Sequence, residues 1–221
     1  MADAAAPRKA KSARFTREAP DVRRRMLVEA ATRCLAKGGI AAFTVDRICK
    51  EAEISRGLIN HYFDSKDDLL IAVYETSLYE TVTEHIAQLK SMPADATPES
   101  RLGMIVEATC HPSYFAEPRL LVWLALWGEV ATNPKLQAAH RELYDSYRRT
   151  LAEEIDAVAW RRGRDVDALA LARSFIALFD GLWLEWCLDS RVVSPEDART
   201  ACYDLLEAKL GPLQGDAIAR P

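Results

Sequence analysis

No two cysteines in this sequence stand closer than fifteen residues: Cys34, Cys49, Cys110, Cys187 and Cys202 are odd in number and widely spread. There is no CxxC pair to hold a metal or exchange disulfides, and the pattern fits a chain kept in a reducing cytoplasm. Histidine is also sparse, and His61, His85, His111 and His140 show no ligand spacing, so no metal site is expected. A Gly-rich phosphate loop is missing, and no Ser, His and Asp set has motif-like surroundings; neither catalysis nor a cofactor is expected. The longest uninterrupted apolar run, Leu120–Trp127, falls far short of the roughly 20 residues that span a bilayer, which predicts no membrane partner. The N-terminus is basic but has no apolar run before Met26, so residues 1–20 read as a flexible arm rather than a secretory signal. Nowhere do Val, Ile and Thr alternate as strands require.

What is present is the material of a folded, soluble protein. The chain has 221 residues, 49% hydrophobic and 28% charged, enough to bury a sizeable core. Its net charge of −4 hides an asymmetry: residues 1–67 hold fourteen Lys and Arg against nine Asp and Glu, a balance of +5 that leaves −9 for the rest. A basic front joined to an acidic body suggests that only the front meets a polyanion such as DNA.

The spacing predicts helices throughout. Met26, Leu27, Ala30, Ala31, Cys34 and Leu35 share one face of a first helix, and Gly38-Gly39 supplies its stop. Thr44 is placed to cap a short second helix carrying Val45, Ile48, Cys49 and Ala52, and Ser55 to cap a third carrying Leu58, Ile59, Tyr62 and Phe63. Ser65 and Asp68 form a capping pattern ahead of a long helix that joins front to body. Two prolines within residues 91–98 mark a loop. Pro98, Pro118 and Pro134 then fall in the first turns of further helices, followed by helices over Asp165–Ser190 and Ser194–Leu210. The expected organisation is all-α: a basic arm (1–20), a three-helix helix-turn-helix head (21–67), a larger helical ligand-binding and dimerisation body (68–212) and a flexible tail (213–221).

Residues 55–62 suit a recognition helix, which lies in the major groove with polar side chains outward. Ser55, Arg56, Asn60 and His61 can face out while Leu58, Ile59 and Phe63 hold the helix to the head. Arg offers a bidentate fork to guanine, Asn pairs with adenine, and a glycine such as Gly57 admits close backbone approach. The run Thr44–Leu70, TVDRICKEAEISRGLINHYFDSKDDLL, resembles the head of the tetracycline-repressor (TetR) family. That resemblance implies that Thr44, His61, Tyr62 and Lys66 contact phosphates, while Ser55, Arg56 and Gly57 approach bases. It further implies a homodimer through the last two helices, bound to a palindromic stretch of double-stranded operator DNA.

In the body, Trp123 and Trp127 are four apart, and Trp183 and Trp186 three apart, so each pair shares a helix face. The segments Arg101–Glu107, Trp123–Trp127 and Ala177–Leu184 are similar to the BetI-type branch of the family, whose repressors respond to choline, a quaternary ammonium ion. An aromatic cage with a nearby carboxylate suits such a cation, which makes Trp123, Trp127, Trp183 and Asp180 the effector-binding candidates, with Tyr114 and Phe115 next. Residues 110–118 and Glu185-Trp186 depart from the BetI pattern and give that wall a different bulk.

Several alternatives stay open at this point. Aromatic stripes equally serve a core, Asp180 equally serves a polar contact between subunits, and Phe63 equally serves the head's packing. The arm's Arg8, Lys9, Lys11, Arg14 and Arg17 are either solvated charge or a minor-groove contact. The effector is either a quaternary ammonium compound or a non-cationic molecule. An architectural DNA-binding protein without sequence preference is the remaining rival, and it leaves the acidic body without a task.

Overall fold

The structure is a computed structural model that describes residues 20–115 and 117–213, and among them all regular structure is helical. The order is α1 (Pro20–Ala42), α2 (Val45–Glu51), α3 (Arg56–Tyr62), α4 (Lys66–Ser91), α5 (Pro98–Thr109), a 3₁₀ turn (Pro112–Tyr114), α6 (Glu117–Val130), α7 (Pro134–Arg161), α8 (Ala168–Leu188) and α9 (Pro195–Leu210). The expected arm, apart from Pro20, and the expected tail beyond Leu213 lie outside the described residues.

Helix starts follow their caps. The Thr44 side chain accepts from the Arg47 N–H and the Ser65 side chain from that of Asp68. Thr97, Asn133 and Ser194 do the same for α5, α7 and α9, each followed by proline, which satisfies N–H groups that have no partner within the helix. α8 begins later than Asp165 because the carboxylate that caps it belongs to Asp167, which accepts from the Ala170 N–H at 2.9 Å. Ser55 takes its expected cap position, but its side chain makes no capping hydrogen bond; the hydroxyl stays at the surface.

The regular part of α1 stops where Gly-Gly predicts. Gly38 is extended (φ −166°) and Gly39 takes φ +57°, ψ −155°, a conformation open to glycine alone, before one further turn to Ala42. The α2–α3 turn has no glycine, and Glu53 is held at φ +55°.

Leu27, Ala30, Ala31, Cys34 and Leu35 are all buried while Met26 is 41% exposed, so the inward stripe of α1 is narrower than its sequence periodicity implied. α1 packs on α2, α4 and α6, α4 on α5 and α7, and α8 on α7 and α9. One continuous apolar core joins Leu27 and Phe43 through Leu70 and Val73 to Leu136, Ile155 and Phe175. Polar ties brace its far side. Glu107 accepts from Arg199 (3.0 Å) and from the Tyr203 hydroxyl (2.8 Å), and Arg162 donates to Glu99 (2.9 Å) and to the carbonyls of Leu210 and Pro212.

Candidate nucleic-acid interface and ligand cavity

Seven residues make α3 about 10 Å long, short enough to lie across a major groove about 12 Å wide. Ile59 and Phe63 are buried (4% exposed each) and Leu58 and Tyr62 are half-buried, while Ser55, Arg56, Gly57, Asn60 and His61 are exposed. Side chains four apart share a helical face, so fixing Ile59 and Phe63 in the core turns the remaining face outward. A Cβ added at Gly57 would meet nothing within 4 Å. The protein itself does not require a glycine there, but a close partner would.

The remaining candidates surround α3. Thr44 is exposed at the N-terminus of α2, and Lys66 is exposed at the start of α4 with its ammonium 5.6 Å from the centre of the Phe43 ring. His61 and Tyr62 stand edge to face at 5.1 Å. Arg24 reaches over the Phe63 ring at 5.0 Å, bringing a cation of α1 beside this surface. The structure adds Asp46, which the sequence reading passed over: it forms an ion pair with Arg56 between α2 and α3. Both partners are well exposed, so water screens the pair and a competing anion or base edge can take the guanidinium.

In the body, α6, α7 and α8 line a largely open cavity of about 530 Å³, within the range of small-molecule sites. Its walls follow helical spacing. α7 contributes His140, Tyr144 and Arg148 at successive four-residue steps, α8 contributes Arg173, Ile176, Ala177, Asp180, Gly181 and Leu184, and α6 contributes Trp127. The Tyr144 hydroxyl interacts with Trp127 and with the Asp180 carboxyl. Burial raises the Asp180 pKa to about 7, against Tyr144 and the Arg148 charge, which favour the carboxylate. Burial, then the Arg148 charge, lowers the His140 pKa, so its ring is neutral; Nδ1 shares a 2.5 Å hydrogen bond with the Tyr74 hydroxyl of α4.

Two of the six effector candidates, Trp127 and Asp180, therefore line this cavity. Trp123 stands behind it, between Tyr74 (5.8 Å) and Trp127 (6.1 Å). Trp183 is 5% exposed, sits edge-on to Trp127 at 5.6 Å and donates its indole N–H to the Tyr114 carbonyl at 3.0 Å. Phe115 is buried against Phe179 and Trp186. Tyr114 lines a second, smaller cavity of about 350 Å³ beside Glu107 and His111. His140, Tyr144, Arg148 and Arg173 were missed from sequence; the four-residue step along α7 marks a shared face but not what that face meets.

The chain matches two families. Residues 27–73 match the bacterial regulatory proteins of the tetR family, and residues 98–211 match the C-terminal domain of BetI-type transcriptional repressors. It is 31% identical over 193 residues to the HTH-type transcriptional regulator BetI 2 of Chromohalobacter salexigens, covering 86% of this chain and 89% of that one. It is 28% identical over 202 residues to the BetI regulator of Pseudomonas aeruginosa PAO1, covering 88% and 96%. Among solved structures, a protein of Pseudomonas aeruginosa PAO1 described as a transcriptional regulator superposes with a TM-score of 0.79 at 32% identity, over 88% of this chain and 93% of that one. Another so described, from Saccharomonospora viridis and solved in complex with choline, superposes with a TM-score of 0.73 at 28% identity, over 85% and 96%.

Proposed function

We infer that this chain, which belongs to the TetR family of bacterial regulatory proteins and carries the C-terminal domain of their BetI-type transcriptional repressors, represses transcription as a homodimer on a palindromic operator and is released or modulated there by a small organic effector. The division of labour follows the sequence expectation: a DNA-binding head over 21–67 and a ligand-binding and dimerisation body over 68–212, working in the cytoplasm. Among the described residues no helix is long and apolar enough to cross a membrane.

The observation that carries the DNA-binding half is α3: Ile59, with Phe63 at its end, is buried in the head while Ser55, Arg56, Gly57, Asn60 and His61 face solvent together. Arg56 and Asn60 read base edges, Gly57 lets the backbone approach, and Thr44, His61, Tyr62 and Lys66 hold phosphates and set the register. Dimerisation uses α8 and α9. On α8, the apolar Leu169 and Leu188 are 39% and 70% exposed, surface that a second subunit can cover.

The effector site is the cavity of Trp127, Tyr144 and Asp180, and its ligand is choline or a related quaternary ammonium compound. The choline complex of the Saccharomonospora viridis protein supports that class, as does a carboxyl set among aromatic rings. Coupling runs through α6, which lines the cavity with Trp127 and packs on α1 of the head. A ligand that binds one arrangement of α6 better than another shifts the head's affinity for DNA.

The test is a fluorescence-anisotropy titration of the full-length protein against a duplex from upstream of its own gene and a scrambled duplex, at one fixed salt concentration. The reading predicts preference for the upstream duplex by at least about a thousand-fold. Equal binding to both would leave only a non-specific DNA-binding protein.

A further inference from the structure

We propose that the cavity between α6, α7 and α8 takes a zwitterion, a compact ammonium carboxylate, in preference to a bare organic cation; the proposal rests on reading this cavity as the effector site. Trp127, Tyr144 and Asp180 can hold an ammonium group, but they make up only part of the wall. Arg148 and Arg173 line the same space. Two guanidinium groups and one carboxyl face that space, so a ligand that carries a carboxylate beside its ammonium finds a partner for each charge, where a bare cation leaves the guanidinium groups unmatched.

Tyr144 lies between the opposite charges. Its hydroxyl interacts with the Asp180 carboxyl on the wall they share, while the Arg148 guanidinium stands 5.6 Å from the centre of its ring. A molecule lying along that ring can turn an ammonium toward Asp180 and a carboxylate toward Arg148. The guanidinium has donors to spare: of its five N–H groups, one goes to Asp145 at 2.5 Å, and that carboxylate is 53% exposed and screened by water. Arg173 stands seven residues before Asp180 on α8, about 10 Å along the axis, exposed at the rim. From there it draws carboxylates inward without holding them in the same place.

The apolar part of the lining, Ile176, Ala177 and Leu184, adds a condition. It rewards a substituted, weakly hydrated ammonium over a primary one, since a bare –NH₃⁺ would leave its donors unmatched. The ligand class is therefore an N-alkylated amino acid or betaine.

Isothermal titration of the full-length protein at pH 8, where Asp180 is ionised, distinguishes the alternatives with three probes. Trimethylglycine carries both charges, choline replaces the carboxylate by a hydroxymethyl group, and 3,3-dimethylbutanoate replaces the ammonium nitrogen by carbon. Trimethylglycine should bind at least about ten-fold more tightly than either of the others, the scale of one charge-assisted hydrogen-bonded contact. In Arg148→Gln its advantage over choline should fall close to one, and in Asp180→Asn its advantage over 3,3-dimethylbutanoate should do the same. Arg148→Lys, which keeps the charge and loses the fork, should retain part of the preference. The ratios in the unmodified protein stand even if a variant fails to fold.

Choline binding as tightly as trimethylglycine, or tighter, would overturn the proposal and leave the effector site in place. 3,3-Dimethylbutanoate matching trimethylglycine would overturn it in favour of a plain carboxylate site. If neither ammonium compound binds, the ammonium reading of the cavity falls with it.

Discussion

The head and the body place functional residues in different ways. In the head every candidate lies between Thr44 and Lys66, and a short helix turns its side chains outward because Ile59 and Phe63 turn inward. In the body the cavity joins residues from Trp127 to Leu184, and the wall exists only because α7 packs on α8. The first is a local device whose parts can be exchanged singly. The second is an assembly in which Trp127, Tyr144 and Asp180 line one space, so substitutions there should be non-additive.

The largest effect should come from removing the support that both regions share. Phe43 is fully buried in the core that joins head to body, and Phe43→Ala should cost about 3–5 kcal/mol of stability in urea denaturation. A loss below about 1 kcal/mol would mean that the head does not rest on that core.

Arg56→Ala should weaken operator binding by about 10- to 100-fold and flatten the preference at the base pairs it reads. Lys66→Ala should weaken all duplexes alike and reduce the slope of log affinity against log salt by about one. If both substitutions lowered every duplex equally, the separation of base reading from phosphate contact in the head would fail.

The body should respond to pH where the head does not. With its pKa raised to about 7, the Asp180 carboxyl is largely protonated at pH 6 and ionised at pH 8. Affinity for an ammonium ligand should therefore rise across that window, measured by titration calorimetry, and Asp180→Asn should abolish the rise. The groups facing Asp180 do not counter this: burial raises the Tyr74, Tyr144 and Tyr147 hydroxyls far above neutrality and lowers the His140 pKa from its ordinary value. In the absence of ligand the sign reverses for stability. A carboxyl whose folded pKa lies above its unfolded value favours folding at low pH, so this contribution is lost as pH rises through about 7.

The smallest effect belongs to the turn of the head. Glu53 holds a left-handed conformation that costs a residue with a Cβ about 1–2 kcal/mol. Glu53→Gly should raise stability by about 0.5–1 kcal/mol, after the greater chain entropy that glycine loses on folding. Its operator affinity should change little.

The same contrast explains what was readable from sequence. The caps at Thr44, Ser65 and Ser194 and the break at Gly38-Gly39 are local chemistry, and each stands where the residue types place it. The cavity was only half legible. Tryptophan drew the reading toward Trp123 and Trp183, which pack around Trp127 without lining the space, because aromatic rings signal burial before they signal binding. His140, Tyr144 and Arg148 escaped notice because nothing within α7 tells which of its faces meets Arg173 and Asp180 of α8. The Arg56–Asp46 pair was equally hidden, since it depends on how α2 and α3 meet across their turn.

The central claim is that these two regions form one switch. Its most direct test is the anisotropy of a labelled operator duplex titrated with the full-length protein at fixed salt, with and without saturating choline or trimethylglycine. The account predicts that the one bound in the cavity changes operator affinity by about 5- to 150-fold, the usual range of coupling between two sites. Operator affinity that stays the same while calorimetry shows that ligand bound in the cavity would contradict it.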